Sequence, residues 1–384
     1  MKLAWGIRVV LSAVVFGLPA FAGPTNPRNN EQEFSIGYQI NAAHTGNVDF
    51  SAGFAPPLSL RWSAVTPDSF SAPYAIVADD KVVVTTADTN GYGSQIFALN
   101  LKNGRTLWHQ LLGHLYGLST AAYGSGKVYV ADDGGQLEAL KIDSGKPLWF
   151  QQLSSLPSSP SAAAGKVFVG SNGVVFAFDQ RSGIMEWSES VDGDGEDSTP
   201  TFGGGGIYVA YPDQVYKFSP RTGNPRWHYN GGGDGGGGST GVYYKGRLYV
   251  ADPFFQSIVY DAATGAQLGT FSATMLPAFF SDDQGNDYGV ALYGDDLYAF
   301  SFATGETIWS FSGDGQLRTA PIIINGQVAV GSAEGNLYLL DGTTGTTTWS
   351  TKLSGSISGL SAGQGTLIAL SGDTVSAFAP EESR

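Results

Sequence analysis

The stretch VDGDGEDSTP, Val191 to Pro200, alternates Asp192, Asp194, Glu196 and Asp197 in the way that oxygen ligands of calcium alternate along a loop. The sixth position holds Asp197 where an EF-hand needs Gly, and the twelfth holds Gly203 where it needs Glu. It is therefore no EF-hand, and a solvated acidic turn competes with the metal reading. A second acidic cluster, SDDQGNDYG from Ser281 to Gly289, falls in a different hairpin and is shorter of ligands. The glycine-rich run NGGGDGGGGSTG, Asn230 to Gly241, has the glycines of a phosphate loop but no Lys before Ser239, and it leads into a strand and not a helix. A nucleotide site is rejected, and the glycines suit a loop that lets backbones approach closely.

The four histidines, His44, His109, His114 and His228, show no metal-ligand spacing. No G-x-S-x-G stands at a strand-to-helix turn, so abundant Ser and Asp give no nucleophile motif. The chain has no cysteine, which removes thiol chemistry, Cys-ligated metals, disulfides and a lipid anchor on a cysteine. With a net charge of −14 it is a poor partner for nucleic acid or an anionic membrane.

The elements that would position any of these groups repeat. One eleven-residue frame runs from a small or apolar residue through a turn glycine to a Trp four residues later. It appears as ALNLKNGRTLW, ALKIDSGKPLW, AFDQRSGIMEW, KFSPRTGNPRW, AFSFATGETIW and LLDGTTGTTTW, and as VYDAATGAQLG with Gly269 in the Trp position. The spacing is about 40 residues, the mark of a repeat architecture. Upstream of each frame stands a β-type run such as KVVVTTAD, KVYVADD or RLYVADP, in which Val, Ile, Tyr and Phe alternate with small residues between Gly, Asp and Asn turns. Four strands per unit at this period predict propeller blades.

Counting second strands gives eight blades, but the last unit ends at SAFAP without its outermost strand. PPLSLRWSA, with Trp62, supplies that strand from the other end of the chain and would close the ring. The fold class is all-β, an eight-bladed propeller of four-stranded antiparallel blades closed by the N-terminal strand. Trp62, Trp108, Trp149, Trp187, Trp227, Trp309 and Trp349 then share one structural position, as spacers between blades. Residues 1–22 read as a cleaved signal peptide, with Lys2 and Arg8 before an apolar run and Ala20-Phe21-Ala22 after it. That run is too short to span a bilayer, and a secreted or periplasmic protein follows. Residues 23–56 form a lead-in, 57–380 the propeller and 381–384 a tail. Loss of 23–40 is expected to be mild and loss of 23–65 severe. His44 falls in the lead-in, as part of a cap more than as a ligand.

The frame resembles the tryptophan-docking motif of the pyrroloquinoline quinone (PQQ) repeat family. Its members include eight-bladed quinoprotein dehydrogenases and the non-enzymatic propeller subunit of the outer-membrane β-barrel assembly machinery. The resemblance spans about Pro57 to Pro380, and AFDQRSGIMEW and VYDAATGAQLG carry it best, at Asp179 or Asp261 and the glycine. The enzymes imply a disulfide of adjacent cysteines, a calcium set and an Asp base. This chain has no cysteine, and of its cations only Arg318 falls in a loop leading from a fourth strand to the next first strand. No bound cofactor is therefore expected: PQQ is disfavoured, and calcium at Asp192, Asp194, Glu196 and Asp197 is the metal alternative.

One face of such a ring collects acidic residues together with Tyr92, Tyr116, Tyr211, Phe254, Phe255 and Arg318, which suits a protein, peptide or glycan ligand. Blade five lacks its Trp and carries Phe254-Phe255 in a turn, so the sector from Asn230 to Gln256 is the expected contact. The reading is an exported, monomeric, non-enzymatic platform for binding or assembly. A quinone-dependent dehydrogenase and a calcium-supported glycan binder are the alternatives from other classes.

Overall fold

The computed structural model describes residues 33–66, 69–71, 74–88, 94–112, 120–154, 157–192, 198–211, 213–232, 239–252 and 256–381. They form eight β-sheets, each built on four antiparallel strands, consecutive in all but the closing sheet, with no α-helix among the described residues. Blade two is representative: Thr120–Gly124, Lys127–Ala131, Gln136–Lys141 and Pro147–Gln152 pair in that order from the axis outward.

Burial explains the strand sequences. Second strands such as Gly206–Ala210 and Thr366–Ser371 are buried throughout, because each is covered by a neighbouring blade on both faces. They read as continuous apolar runs. Outermost strands such as Pro147–Gln152 alternate exposed and half-buried positions, with Trp149 among the covered ones.

The ring closes as the sequence predicts. Leu58–Val65 pairs antiparallel with Thr374–Pro380, setting Trp62 opposite Ala377. The same register recurs between third and fourth strands, with Ala98 opposite Trp108, Ala177 opposite Trp187 and Ala299 opposite Trp309. The register shifts immediately after the small residue of each pair, which increases local twist.

The lead-in packs across the inner strands and makes the cap that the sequence places around His44. Ser35 exchanges backbone hydrogen bonds with Val77 of blade one, and Ile36 O accepts from Tyr123 N of blade two. Further on, Ala42, Ala43, Thr45 and Gly46 accept in turn from Phe202, Tyr243, Phe279 and Ile323, in blades four to seven. Glu33 O accepts from Gln364 N of blade eight, and Asn47–Val48 adds a parallel strand to Ile322–Ile324. Phe34 and Ile40 are buried, so removing 23–40 strips contacts from several blades. Against the expectation of a mild effect stand these inter-blade hydrogen bonds, which the polar composition of the stretch does not announce.

His44 is buried, with Nδ1 2.8 Å from Tyr38 O and Nε2 3.4 Å from Pro200 O. Burial pushes its pKa below the ordinary histidine value, against the pull of those two carbonyls.

Candidate functional site

The Trp frame is a docking device, and its geometry is set by the turn of the following blade. The indole Nε1 of Trp62 donates to Leu101 O at 2.7 Å, that of Trp108 to Ile142 O at 2.8 Å, and that of Trp149 to Gln180 O at 3.3 Å. Trp187 donates to Pro220 O at 3.0 Å, Trp227 to Ala262 O at 3.2 Å and Trp309 to Gly342 O at 2.9 Å. Each acceptor stands three residues before the turn glycine, and the ring lies on that glycine. A Cβ on Gly104, Gly183 or Gly265 would come within 2.5, 2.5 or 2.6 Å of the indole. Only glycine fits, both for the positive φ of the turn and for the ring above it. Trp349, at the last boundary, packs edge-on against Phe378 at 5.5 Å between centroids.

The turn itself is held by its acid. Asp179 Oδ1 accepts from Ser182 N at 2.8 Å and Ser182 Oγ at 2.6 Å; Asp261 Oδ1 accepts from Thr264 N and Thr264 Oγ1, both at 2.8 Å. These bonds favour the ionised carboxylate and hold both groups below the usual carboxylate range. The Asp-x-x-Thr/Ser-Gly part of the frame is thus an Asx turn with a hydroxyl added.

Between blades five and six the dock is open. Gly269 pairs with Val259 where the other blades set their Trp, and a Cβ placed on it would meet nothing within 4 Å. The same is true of Gly305, the turn glycine of blade six, which is exposed where its covered counterparts are buried or half-buried. A cavity of about 690 Å³ occupies the gap, lined by Tyr249, Phe271, Tyr298, Phe300 and Phe302 with Arg247 as its charged group. Arg247 Nη1 donates to Phe302 O, the acceptor that an indole would use, at 2.7 Å, and the guanidinium lies 4.4 Å from the Phe302 ring centroid. Tyr249 is pushed up in pKa by burial, so it is a neutral wall at physiological pH.

A second, smaller pocket of about 60 Å³ lies where the inner strands meet the lead-in, lined by Tyr38, Gln39, Tyr74, Met275, Arg318 and Ser358, among others. Burial raises Tyr38 to about 12. Arg318 Nη1 donates to Ser356 Oγ at 2.9 Å and is the pocket's charged residue. A carboxylated quinone needs several cations and a volume of hundreds of Å³. These residues do not fit it.

Of the residues expected on the acidic aromatic face, Arg318 is exposed. Tyr211 is fully buried, in one apolar cluster with Phe168, Val209 and Tyr216, so it presents no surface to a ligand. Asp192 is tied to one neighbour, with Tyr216 Oη donating to its Oδ2 at 3.1 Å and accepting from its backbone N at 2.9 Å. Asp194, Glu196, Asp197, Tyr92, Tyr116, Phe254 and Phe255 lie outside the described residues. Among the described residues no three His, Asp or Glu side chains converge as metal ligands. Asp282 of the second acidic cluster accepts from Gln284 N, Asn286 N and Tyr288 Oη, a self-contained turn. Sequence reasoning missed Arg247 and the aromatic lining of the open dock, although Gly269 marked the position.

Eight four-stranded blades, with Trp-on-Gly docks at six of their boundaries, define a PQQ-type repeat propeller. The family model described as outer membrane protein assembly factor BamB matches residues 92–239 and 259–382, and the chain belongs to that family. Among solved structures it is similar to BamB from Moraxella catarrhalis, with 20% identity and a TM-score of 0.65 over 84% of this chain and 100% of that one. A europium-containing methanol dehydrogenase superposes with a TM-score of 0.69 at 14% identity, covering 92% of this chain and 99% of its own. The computationally designed protein Ika8 does so with 0.68 at 17%, covering 83% and 99%. At such identities the likeness is one of fold, which enzymes and non-enzymes share. No curated protein matches the sequence.

Proposed function

We propose that this chain is an exported, non-enzymatic propeller that serves as a docking platform for other polypeptides. The observation that carries the reading is the open dock between blades five and six, an aromatic-lined recess in a ring whose other described docks are filled from within the chain. Family membership supports it, since the matching model is described as an assembly factor. The contact surface joins the sector Asn230 to Gln256, whose strand Arg247–Val250 supplies Arg247 and Tyr249 to the dock, to the remaining dock walls at residues 268–272 and 300–305. Lys2, Arg8 and the apolar run after them direct export.

The test has two arms. Affinity capture from the native host's cell-envelope extract, followed by chemical cross-linking of the purified complex, is expected to yield a polypeptide bound in one-to-one proportion. Incubation with PQQ, Ca²⁺ and a panel of alcohols and sugars is expected to leave a redox dye unreduced. Saturable, PQQ-dependent dye reduction would overturn the platform reading in favour of a dehydrogenase.

A further inference from the structure

We propose that the open dock receives the indole of a tryptophan on a partner polypeptide, completing between two chains the contact that the other blades make within one. This rests on the platform reading and names the chemistry of its site. The same chain supplies the standard of comparison. In six docks an indole lies on a turn glycine and donates its N–H to the carbonyl three residues earlier. The blade-six turn keeps both parts: Gly305 has φ +77° with free space above it, and Phe302 O stands three residues before it.

Arg247 does not bar the site, because a carbonyl has two lone pairs. Ala262 O shows the arrangement, accepting from Trp227 Nε1 at 3.2 Å and Lys217 Nζ at 2.7 Å together. Gln180 O likewise accepts from Trp149 Nε1 and from Tyr129 Oη, at 3.3 and 3.1 Å. An indole bonded to Phe302 O would lie beside the Arg247 guanidinium, where a cation over or against a ring adds attraction.

The occupant comes from another kind of chain. Seven of the eight Trp residues stand at blade boundaries of the ring, and Trp5 lies in the stretch read as the cleaved leader. A second copy of this protein has the same seven committed. The cavity, about 690 Å³, also exceeds one indole, so residues flanking the tryptophan enter with it. That favours an extended segment over a free indole.

The probe is a fluorescein-labelled synthetic copy of Thr343 to Lys352, the Trp349 segment, compared with the same peptide carrying Ala for Trp349. Fluorescence anisotropy with the full-length protein is expected to show the Trp peptide binding at least tenfold tighter than the Ala peptide. Gly269→Trp, which fills the dock from within, is expected to abolish that preference. No preference in the wild type, or an unchanged preference in a cooperatively melting Gly269→Trp protein, overturns the proposal. Should Gly269→Trp fail to fold, a benzoylphenylalanine in place of the peptide's Trp is photo-cross-linked to the wild type. Adducts within 268–272 or 301–305 are expected, and adducts elsewhere overturn the site. Equal competition by N-acetyltryptophanamide alone would make the occupant a free indole and overturn the polypeptide source. If wild type and Gly269→Trp capture the native partner equally, the indole inference fails while the platform stands.

Discussion

Trp227 lies on Gly265 across the boundary between blades four and five, so close that a Cβ on the glycine would sit 2.6 Å from the ring. The corresponding pair one blade on, Gly269 and Gly305, has nothing between it. Two glycines in the same turn of the same frame thus meet different demands within one molecule: Gly265 answers to backbone and ring together, Gly305 to backbone alone.

That difference is measurable. Gly183→Ala, whose new Cβ would lie 2.5 Å from Trp149, combines left-handed strain with overpacking and is expected to destabilise by about 2 to 4 kcal/mol. Gly305→Ala meets no neighbour and should cost only the strain, about 1 to 2 kcal/mol. Urea unfolding of the two variants checks the ranking, and equal losses would mean that the indole yields to the extra methyl.

Removing the ring instead of the glycine tests the other half of the dock. Trp309 is buried and bonded to Gly342 O, so Trp309→Ala is expected to lose about 3 to 5 kcal/mol. Trp309→Phe keeps much of the apolar area but leaves Gly342 O without its indole donor, and should fall between Trp309→Ala and the parent. Thermal melts monitored by circular dichroism give the order.

The blades, their number and their closure were legible because a period of about 40 residues repeats a packing problem that each blade solves alike. Gly269 was legible as a break in that period. What lines the break was not, since Arg247 and Phe271 lie on different strands of blade five and Phe302 in a turn of blade six, and only the packing of the two blades brings them together. Tyr211 misled for the opposite reason: a tyrosine after a strand end reads as rim, yet here it packs with Phe168, Val209 and Tyr216 and is fully buried. The lead-in lacks a periodic pattern altogether, because it bonds to the blades through backbone groups, which any sequence offers.

His44 gives the cap a pH dependence. Its folded pKa is depressed by burial below the ordinary 6.5, so the unfolded chain binds the proton more readily. Its contribution is therefore present above pH 6.5 and is lost as pH falls through the lowered folded value. The thermal midpoint is expected to drop from pH 7.5 to 5.5, and His44→Asn, a residue that tolerates the positive φ found there, should flatten that slope. An unchanged slope in the variant would place the acid sensitivity elsewhere.

The Asx turns act in a more acidic window. Hydrogen bonds from Ser182 and Thr264 depress Asp179 and Asp261 below the ordinary 3.8, so their contribution is present above that value and lost as pH falls through the folded one. Asp261→Asn can still accept from Thr264 but has no charge to lose. It should start less stable than the parent at pH 6 and show a shallower decline below pH 4, read from urea midpoints at each pH.

Gly269→Trp is expected to raise stability, an uncommon result for placing the largest side chain at a glycine. Gly269 lies in a regular strand, opposite Val259, and is not among the residues with positive φ, so a side chain brings no backbone strain and removes the entropic cost of glycine. The direction of its Cβ is open, and the cavity ahead of it already has an indole's acceptor in Phe302 O and aromatic walls in Tyr249 and Phe300. Burying the ring there should contribute about 2 kcal/mol, with the indole hydrogen bond to Phe302 O adding to it. Arg247 can share that carbonyl as Lys217 shares Ala262 O with Trp227. The measurement is the urea midpoint with its slope, beside tryptophan fluorescence, which should shift to the blue relative to the parent as the new ring leaves water. A lower midpoint with red-shifted emission would show the ring rejected, and with it the view that this boundary keeps the geometry of its neighbours.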